Sequence, residues 1–286
     1  MTGPELLERL RRDLGDLGGW WPGETPFEVA VGAVLVQAVS WRNAQLAIEN
    51  LRARSLLEPA RLAEADAASL AEAIRPALYR SAKARYLLAL ARFVRDELGG
   101  DLAVLRDRPP AERRRLLLSV EGVGPETAAA IEVYALGGSA GVADAYALRV
   151  LPRTGALRQG LGPAEAAAAM AGWIAGDAER ARVLHAGIVE LARRHCRPAP
   201  LCAGCPLGDV CPRLLGHPAQ GRGDGIGKDA GRADAGREAG DSGRSGAEAP
   251  KGSGGRGTRT PRTRSPRRVG RTERARERAR RRHPGA

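Results

Sequence analysis

Leucines recur at helical spacing among alternating charges from Met1 to Leu17, and from Thr25 to Cys196 the apolar positions continue as a succession of helices with short breaks. Thr25-Pro26-Phe27-Glu28 supplies a capping threonine, a proline at the first helical position and a glutamate three residues after the cap, so a helix starts there. It is expected to run to about Val39, and its all-round apolarity predicts a central, buried helix. Further helices are predicted at 43–54, 58–64 and 67–75. Ser81 is expected to cap the next, in which Ala84, Leu87, Leu88, Ala91, Val94 and Leu98 share one face before Gly99-Gly100 closes it. Pro110 opens another, ending near Val120. After the break Glu121-Gly122-Val123-Gly124, Pro125 starts a helix through Leu136, closed by Gly137-Gly138; helices at 144–151, 163–175 and 178–195 complete the series. No stretch alternates with β-branched residues, and the expected fold class is all-α.

From Gly216 onward hardly an aliphatic residue remains among Gly, Arg, Asp, Ala, Ser and Pro. Such a segment buries too little surface to offset its chain entropy and is expected to be a disordered basic tail. Its Arg-rich end, 271–282, reads as solvated, with coupled helix formation on nucleic acid as the alternative.

Charge changes the picture only in that tail. Of the formal net charge of +13, residues 216–286 contribute 19 Lys and Arg against 8 Asp and Glu, so the folded part is close to neutral. A nucleic-acid reading of the core must therefore rest on motifs. The N-terminus lacks a continuous apolar stretch and the run Val29–Val39 is too short to span a bilayer, which predicts a cytoplasmic protein with no membrane partner.

Three local patterns carry candidate chemistry. Leu118-Ser119-Val120-Glu121-Gly122-Val123-Gly124-Pro125 is an apolar helix end, a G-V-G turn and a new helix. Two glycines leave backbone N–H groups bare beside a positive helix N-terminus, a geometry that grips a phosphate without reading sequence; an ordinary αα-turn has the same spacing. Twenty residues past Gly124 stands Asp144, in Val142-Ala143-Asp144-Ala145-Tyr146, which by itself reads as a helix N-cap. The four cysteines, Cys196, Cys202, Cys205 and Cys211, fall in the spacing C-x5-C-x2-C-x5-C and point to a metal site, either zinc or a [4Fe–4S] cluster.

Taken together, the hairpin, the V-x-D context and the cysteine loop resemble the helix-hairpin-helix DNA glycosylase superfamily, in its endonuclease III-related group close to 3-methyladenine DNA glycosylases. The resemblance spans residues 20–211 and includes Trp20-Trp21-Pro22 and the Gln37 and Trp41 of L-V-Q-A-V-S-W. It implies a six-helix barrel domain over 27–138 with the helix-hairpin-helix at 112–136, and a cluster domain made of 1–26 with 139–215. It further implies that Asp144 is catalytic, that Gly122, Val123 and Gly124 bind a DNA phosphate, and that Gln37 probes the gap in the duplex. Trp20, Trp21 and Trp41 would form the base pocket, with simple core packing as the alternative for at least one of them. The cysteines would hold a [4Fe–4S] cluster, although the first interval is one residue shorter than is usual in the group.

Members of the superfamily that cleave the strand place a Schiff-base lysine two residues after the hairpin's second glycine; here that position is Glu126, and a carboxylate cannot form an imine. The only lysine before the tail, Lys83, reads as part of a solvated helix start. The expected activity is a monofunctional base-excision-repair glycosylase, acting as a monomer on double-stranded DNA that carries a damaged base, an alkylated purine by the aromatic pocket. The alternatives are a bifunctional glycosylase/lyase acting on oxidised pyrimidines and a non-catalytic, structure-specific DNA-binding protein.

Overall fold

The computed structural model describes residues 1–215 except Asp16 and Gly18, and these fall in one compact unit. Among the described residues there are helices and turns and no strand, as the apolar pattern predicts. The basic segment after Leu215, including 271–282, lies outside them.

In chain order the helices are α1 (Gly3–Leu14), α2 (Pro26–Leu35), α3 (Trp41–Ala53), α4 (Pro59–Ala63), α5 (Ala67–Ala73) and α6 (Arg80–Glu97). A 3₁₀ segment at Leu102–Asp107 leads to α7 (Pro110–Leu118) and α8 (Pro125–Ala130), which continues as a π-helical turn at Ile131–Ala135. Then come α9 (Ala145–Arg153), α10 (Pro163–Ile174), α11 (Ala178–Arg194) and the short α12 (Pro212–Leu215).

Most starts follow from their caps. Thr25, Ser40, Asp66 and Asp177 each accept a backbone N–H three residues ahead, and Thr2 and Glu5 form a reciprocal capping box on α1. Two of the boundaries that differ from the sequence expectation have a visible backbone cause. Helix α2 stops at Leu35 rather than Val39, because the chain turns through Ala38 in the left-handed region at φ 55°. Helix α6 begins at Arg80, and its cap position is Tyr79, also left-handed at φ 59°, so Ser81 lies inside the helix and caps nothing.

Phe27 to Leu35 of α2 are all buried, and the helix packs against α3, α6, α8 and the π turn. This is why no side of it is polar. Helix α6 closes over α4 and α5 through Leu87, Leu90 and Val94. The N-terminal helix does not join this group but docks on α11 and α10, burying Leu6, Leu7 and Leu10. Gly187 of α11 allows the approach: a Cβ there would stand 3.0 Å from the Leu10 Cβ. Removing the Leu10 side chain would cost about 2–5 kcal/mol.

Lys83 corrects the sequence reading. It is buried, not solvated, at 3% exposure, and its ammonium donates to the carbonyl oxygens of Leu35 at 2.8 Å and Gln37 at 2.7 Å. The end of α2 leaves carbonyls without helical partners, and a cation there satisfies two of them while meeting the negative end of the helix dipole. Burial lowers the Lys83 pKa to about 8.

Candidate functional site

The G-V-G turn between α7 and α8 is fixed by sterics. Gly122 has φ +85°, and a Cβ on it would lie 2.1 Å from the Tyr86 ring, so only glycine fits. Val123 is buried and its N–H bonds the Val120 carbonyl, closing the turn. Gly124 has nothing within 4 Å of where a Cβ would be. It caps α8, and no side chain occupies that N-terminus. The turn lines an open groove of about 590 Å³ together with Gln37, Ala38, Tyr86, Leu118 and Glu126.

Gln37 is engaged rather than free. Its amide donates to the Gly122 carbonyl and to the Thr127 hydroxyl, each at 2.9 Å, tying the end of α2 to the hairpin. Lys83 holds the backbone of the same turn, so the groove wall is braced from behind. The second helix of the hairpin is clamped through a nearly buried ion pair in which the Arg113 guanidinium donates to both oxygens of Glu132 at 3.0 and 2.5 Å.

Asp144 is buried at the N-terminus of α9. Its Oδ1 accepts the Ala147 N–H at 2.7 Å, which is the capping role expected of an isolated Asp. Its Oδ2 is not used in the cap and lies 3.5 Å from Nε2 of His185, a buried residue of α11. Nδ1 of the same imidazole is 2.7 Å from the Tyr134 hydroxyl on the π turn. Burial first, and the Asp144 charge second, hold the Tyr134 phenol well above its ordinary pKa. Glu126 is an exposed residue, yet partial burial of its carboxyl raises its pKa, and the Asp144 charge adds to that rise. Asp144 and Glu126 are thus close enough to feel one another, the first deep and the second at the groove.

The structure brings all three tryptophans of the expected base pocket to this point. Trp20 and Trp21 have ring centroids 6.2 Å apart, and Trp21 meets Trp41 edge-on at 5.5 Å. Two further rings complete the cluster: Tyr134 stacks on Trp21 at 4.8 Å, and His185 meets Trp20 edge-on at 5.8 Å. The Trp20 indole donates to Glu190 of α11 at 3.0 Å, whereas the buried Trp21 indole N–H has no partner. Sequence reasoning missed Tyr134, His185 and Glu190. Each sits in an apolar helical stretch, and the one available signal was a polar group at a position whose helical neighbours are all buried.

A second open groove, of about 620 Å³, lies along α9 and α11 and is lined by Tyr146, Arg149, Arg193, Arg194 and Arg197. Arg149 stacks over the Tyr146 ring at 5.2 Å and donates to the Cys196 carbonyl at 2.9 Å. Among the described residues, Leu78 and Tyr79 are the most exposed large apolar pair, at 57% and 71%, in the turn before α6.

The four cysteines follow α11 in a loop built of tight turns. Backbone N–H groups of Cys196, Cys205 and Cys211 donate to the carbonyls of Leu191, Cys202 and Leu207, and the Leu207 side chain anchors the loop in the core. Burial raises the Cys205 pKa, and each of the other three cysteines pushes it further up, so all three lie within electrostatic reach of Cys205. The Arg153 guanidinium stands 3.8 Å from the Cys196 sulfur. Among the described residues, no three His, Cys, Asp or Glu side chains are arranged to hold a single metal ion. The donor set is four thiols, which suits soft metals, and an iron–sulfur cluster spreads its thiolates more widely than one zinc ion does.

Residues 31–175 match the HhH-GPD superfamily of base excision DNA repair proteins. The chain is 36% identical over 211 residues to a candidate DNA repair glycosylase of Methanocaldococcus jannaschii, covering 72% of this chain and 96% of that protein. It is 27% identical over 220 residues to the thymine-DNA glycosylase of Aeropyrum pernix, covering 72% and 94%. Among solved structures, a trapped covalent endonuclease III–DNA intermediate matches with a TM-score of 0.65 at 22% identity, over 76% of this chain and 99% of that one. H. pylori 3-methyladenine DNA glycosylase bound to 1,N6-ethenoadenine matches at 0.60 and 24% identity, over 68% and 98%. At such identities these two structures speak for the all-α fold.

Proposed function

Because the chain belongs to the HhH-GPD superfamily of base excision DNA repair proteins, and so to the DNA glycosylases, we propose that it excises an alkylated purine from duplex DNA by hydrolysis, without a lyase step. The observation that carries this reading is the cluster of Trp20, Trp21, Trp41 and Tyr134 beside the free oxygen of Asp144. Stacked π faces favour a cationic base over a neutral one. Such a base leaves readily, so the enzyme needs a carboxylate to stabilise the oxocarbenium-like sugar and orient water more than it needs a strong acid. Asp144 takes that part, as a carboxylate placed deep in the site.

The turn Gly122-Val123-Gly124, whose Val123 N–H is already committed to the Val120 carbonyl, would hold a backbone phosphate through its glycine N–H groups, and the arginines of the α9–α11 groove would hold another. Gln37 would reach the duplex only by giving up its bonds to the hairpin, which makes its release part of engagement. Cys196, Cys202, Cys205 and Cys211 would hold a [4Fe–4S] cluster. When bound, the cluster would supply a cross-link that stiffens the loop beneath the arginine groove.

Monofunctionality rests on Glu126 and on Lys83. An imine needs an accessible amine with a depressed pKa; Lys83 has the second property but is buried and fixed to two carbonyls. The experiment is an excision panel on duplexes with 3-methyladenine, ethenoadenine, an oxidised pyrimidine or a thymine mismatch, with borohydride trapping in parallel. Release of the alkylated purine, strand breakage only after alkali and negligible trapping are expected. Release of thymine or oxidised pyrimidine alone reassigns the substrate, and trapping lost in Lys83→Ala would make that lysine a nucleophile. Iron content on the same preparation should be about four per chain, absent in Cys202→Ser.

A further inference from the structure

Asp144 spends one carboxylate oxygen on the α9 cap, and the position of the other is set by what faces it. That neighbour is His185 Nε2 at 3.5 Å, on a ring that is 5% exposed. The ring's opposite nitrogen, Nδ1, is 2.7 Å from the Tyr134 hydroxyl. Burial keeps the Tyr134 hydroxyl protonated, so it has a proton to donate to Nδ1. With Nδ1 as the acceptor, the proton of a neutral imidazole sits on Nε2, the nitrogen that faces Asp144.

We propose that His185 is a positioning residue for Asp144, and that Tyr134 selects the tautomer in which the imidazole donates to the free carboxylate oxygen. The inference rests on the reading of Asp144 as the catalytic carboxylate. His185 does not touch the reacting atoms: its donor holds Oδ2 in place while positive charge builds on the sugar. The 3.5 Å separation is long for a hydrogen bond, and catalytic hydrogen bonds in unbound enzymes commonly tighten only around substrate.

The ring cannot turn away. Trp20 packs on it edge-on at 5.8 Å and is itself tied to Glu190, one and a half turns further along α11. The groups facing the imidazole are therefore Tyr134 from the π turn and Asp144 from the α9 cap, with Glu126 of α8 also within electrostatic reach. On its own helix, Arg182 acts on Tyr134, and the Glu190 charge is taken up by Arg193 and Arg194.

The test is the pH dependence of single-turnover excision by the full-length protein, for His185→Ala, His185→Gln and Tyr134→Phe, with Asp144→Asn as reference. Losing the donor makes the carboxylate easier to protonate. His185→Ala should therefore be about tenfold slower at neutral pH, with its acid fall-off moved up by about one pH unit and substrate affinity little changed. Glutamine places an amide N–H near the position of Nε2–H, so His185→Gln should recover most of both effects. Tyr134→Phe should shift the fall-off in the same direction by less. An unmoved fall-off in His185→Ala and Tyr134→Phe, or a glutamine variant no better than alanine, overturns the proposal. If His185→Ala does not fold, the other two variants decide. An active Asp144→Asn overturns the reading of Asp144 itself, whereas an inactive one beside unshifted His185 profiles sinks only the link to His185.

Discussion

The hairpin and the aromatic chamber are both walls of the same candidate site, and they are built in opposite ways. The hairpin comes from one contiguous stretch, Leu118 to Thr127, whose geometry is dictated by a glycine that cannot carry a side chain. The chamber is assembled from the segments that hold Trp20, Trp41, Tyr134, Asp144 and His185, and none of these residues is strained or unusual by itself. A local device can be damaged by one methyl group. A distributed one fails only when a specific pairing is lost, and its failure shows in chemistry before it shows in stability.

The sharpest break of this contrast is Asp144→Asn. Asparagine keeps the oxygen that caps α9, so the thermal midpoint should stay near that of the parent while excision falls by about a hundredfold or more. Melting and excision rate measured on one preparation check both halves. Comparable loss of stability and activity would mean that the residue serves α9 and nothing else.

Next in size is a pair at the hairpin. Gly122→Ala must push its methyl into the Tyr86 ring from a left-handed backbone, and should destabilise the protein by about 2–4 kcal/mol and weaken duplex binding with it. Gly124→Ala meets open space at an ordinary φ of −83°, so it should leave stability unchanged and lower duplex affinity severalfold by crowding the phosphate. Denaturant midpoints and affinity for an uncleavable duplex separate the two. Equal affinities for Gly124→Ala and parent would remove the phosphate from this turn.

The hairpin was legible because its requirement is local: G-V-G-P between two apolar helical runs describes a backbone shape wherever it sits. Asp144 was legible only through its distance from that motif, since by itself it is the helix cap that it also proves to be. The tryptophans were visible by their rarity, and the alternative of plain packing fits Trp21 best, wedged against Gly32, Tyr134 and Trp41. Tyr134, His185 and Glu190 were not legible, because the partner that gives each its meaning lies ten or more residues away in sequence or is reached only through tertiary packing. Lys83 was misread for the same reason. An Arg- and Ser-flanked lysine looks solvated until the end of another helix is placed against it.

The smallest effect tests that correction. With a folded pKa of about 8 against an ordinary 10.5, Lys83 binds its proton less tightly in the native chain than in the unfolded one. Between those two values the unfolded state carries more protons, so this group makes the protein gain stability as pH rises through the window. Lys83→Met should flatten that rise, leaving any slope from other groups. Unfolding free energies at pH 7.5 and about 10 check it; identical slopes in both proteins would place Lys83 back in solvent.

The π-helical turn at Ile131–Ala135 sits between these two regions. Its extra residue interrupts the α-helical register just after the hairpin, and the rings of the chamber depend on where that interruption falls. Deleting one residue within the turn would restore α-geometry, closing the bulge and changing which side chains it presents. Tyr134 would then leave its place and a different side chain would face His185, while Gly122 and Gly124, upstream, would not move. The turn therefore works as a dial between a fixed grip and an exchangeable lining.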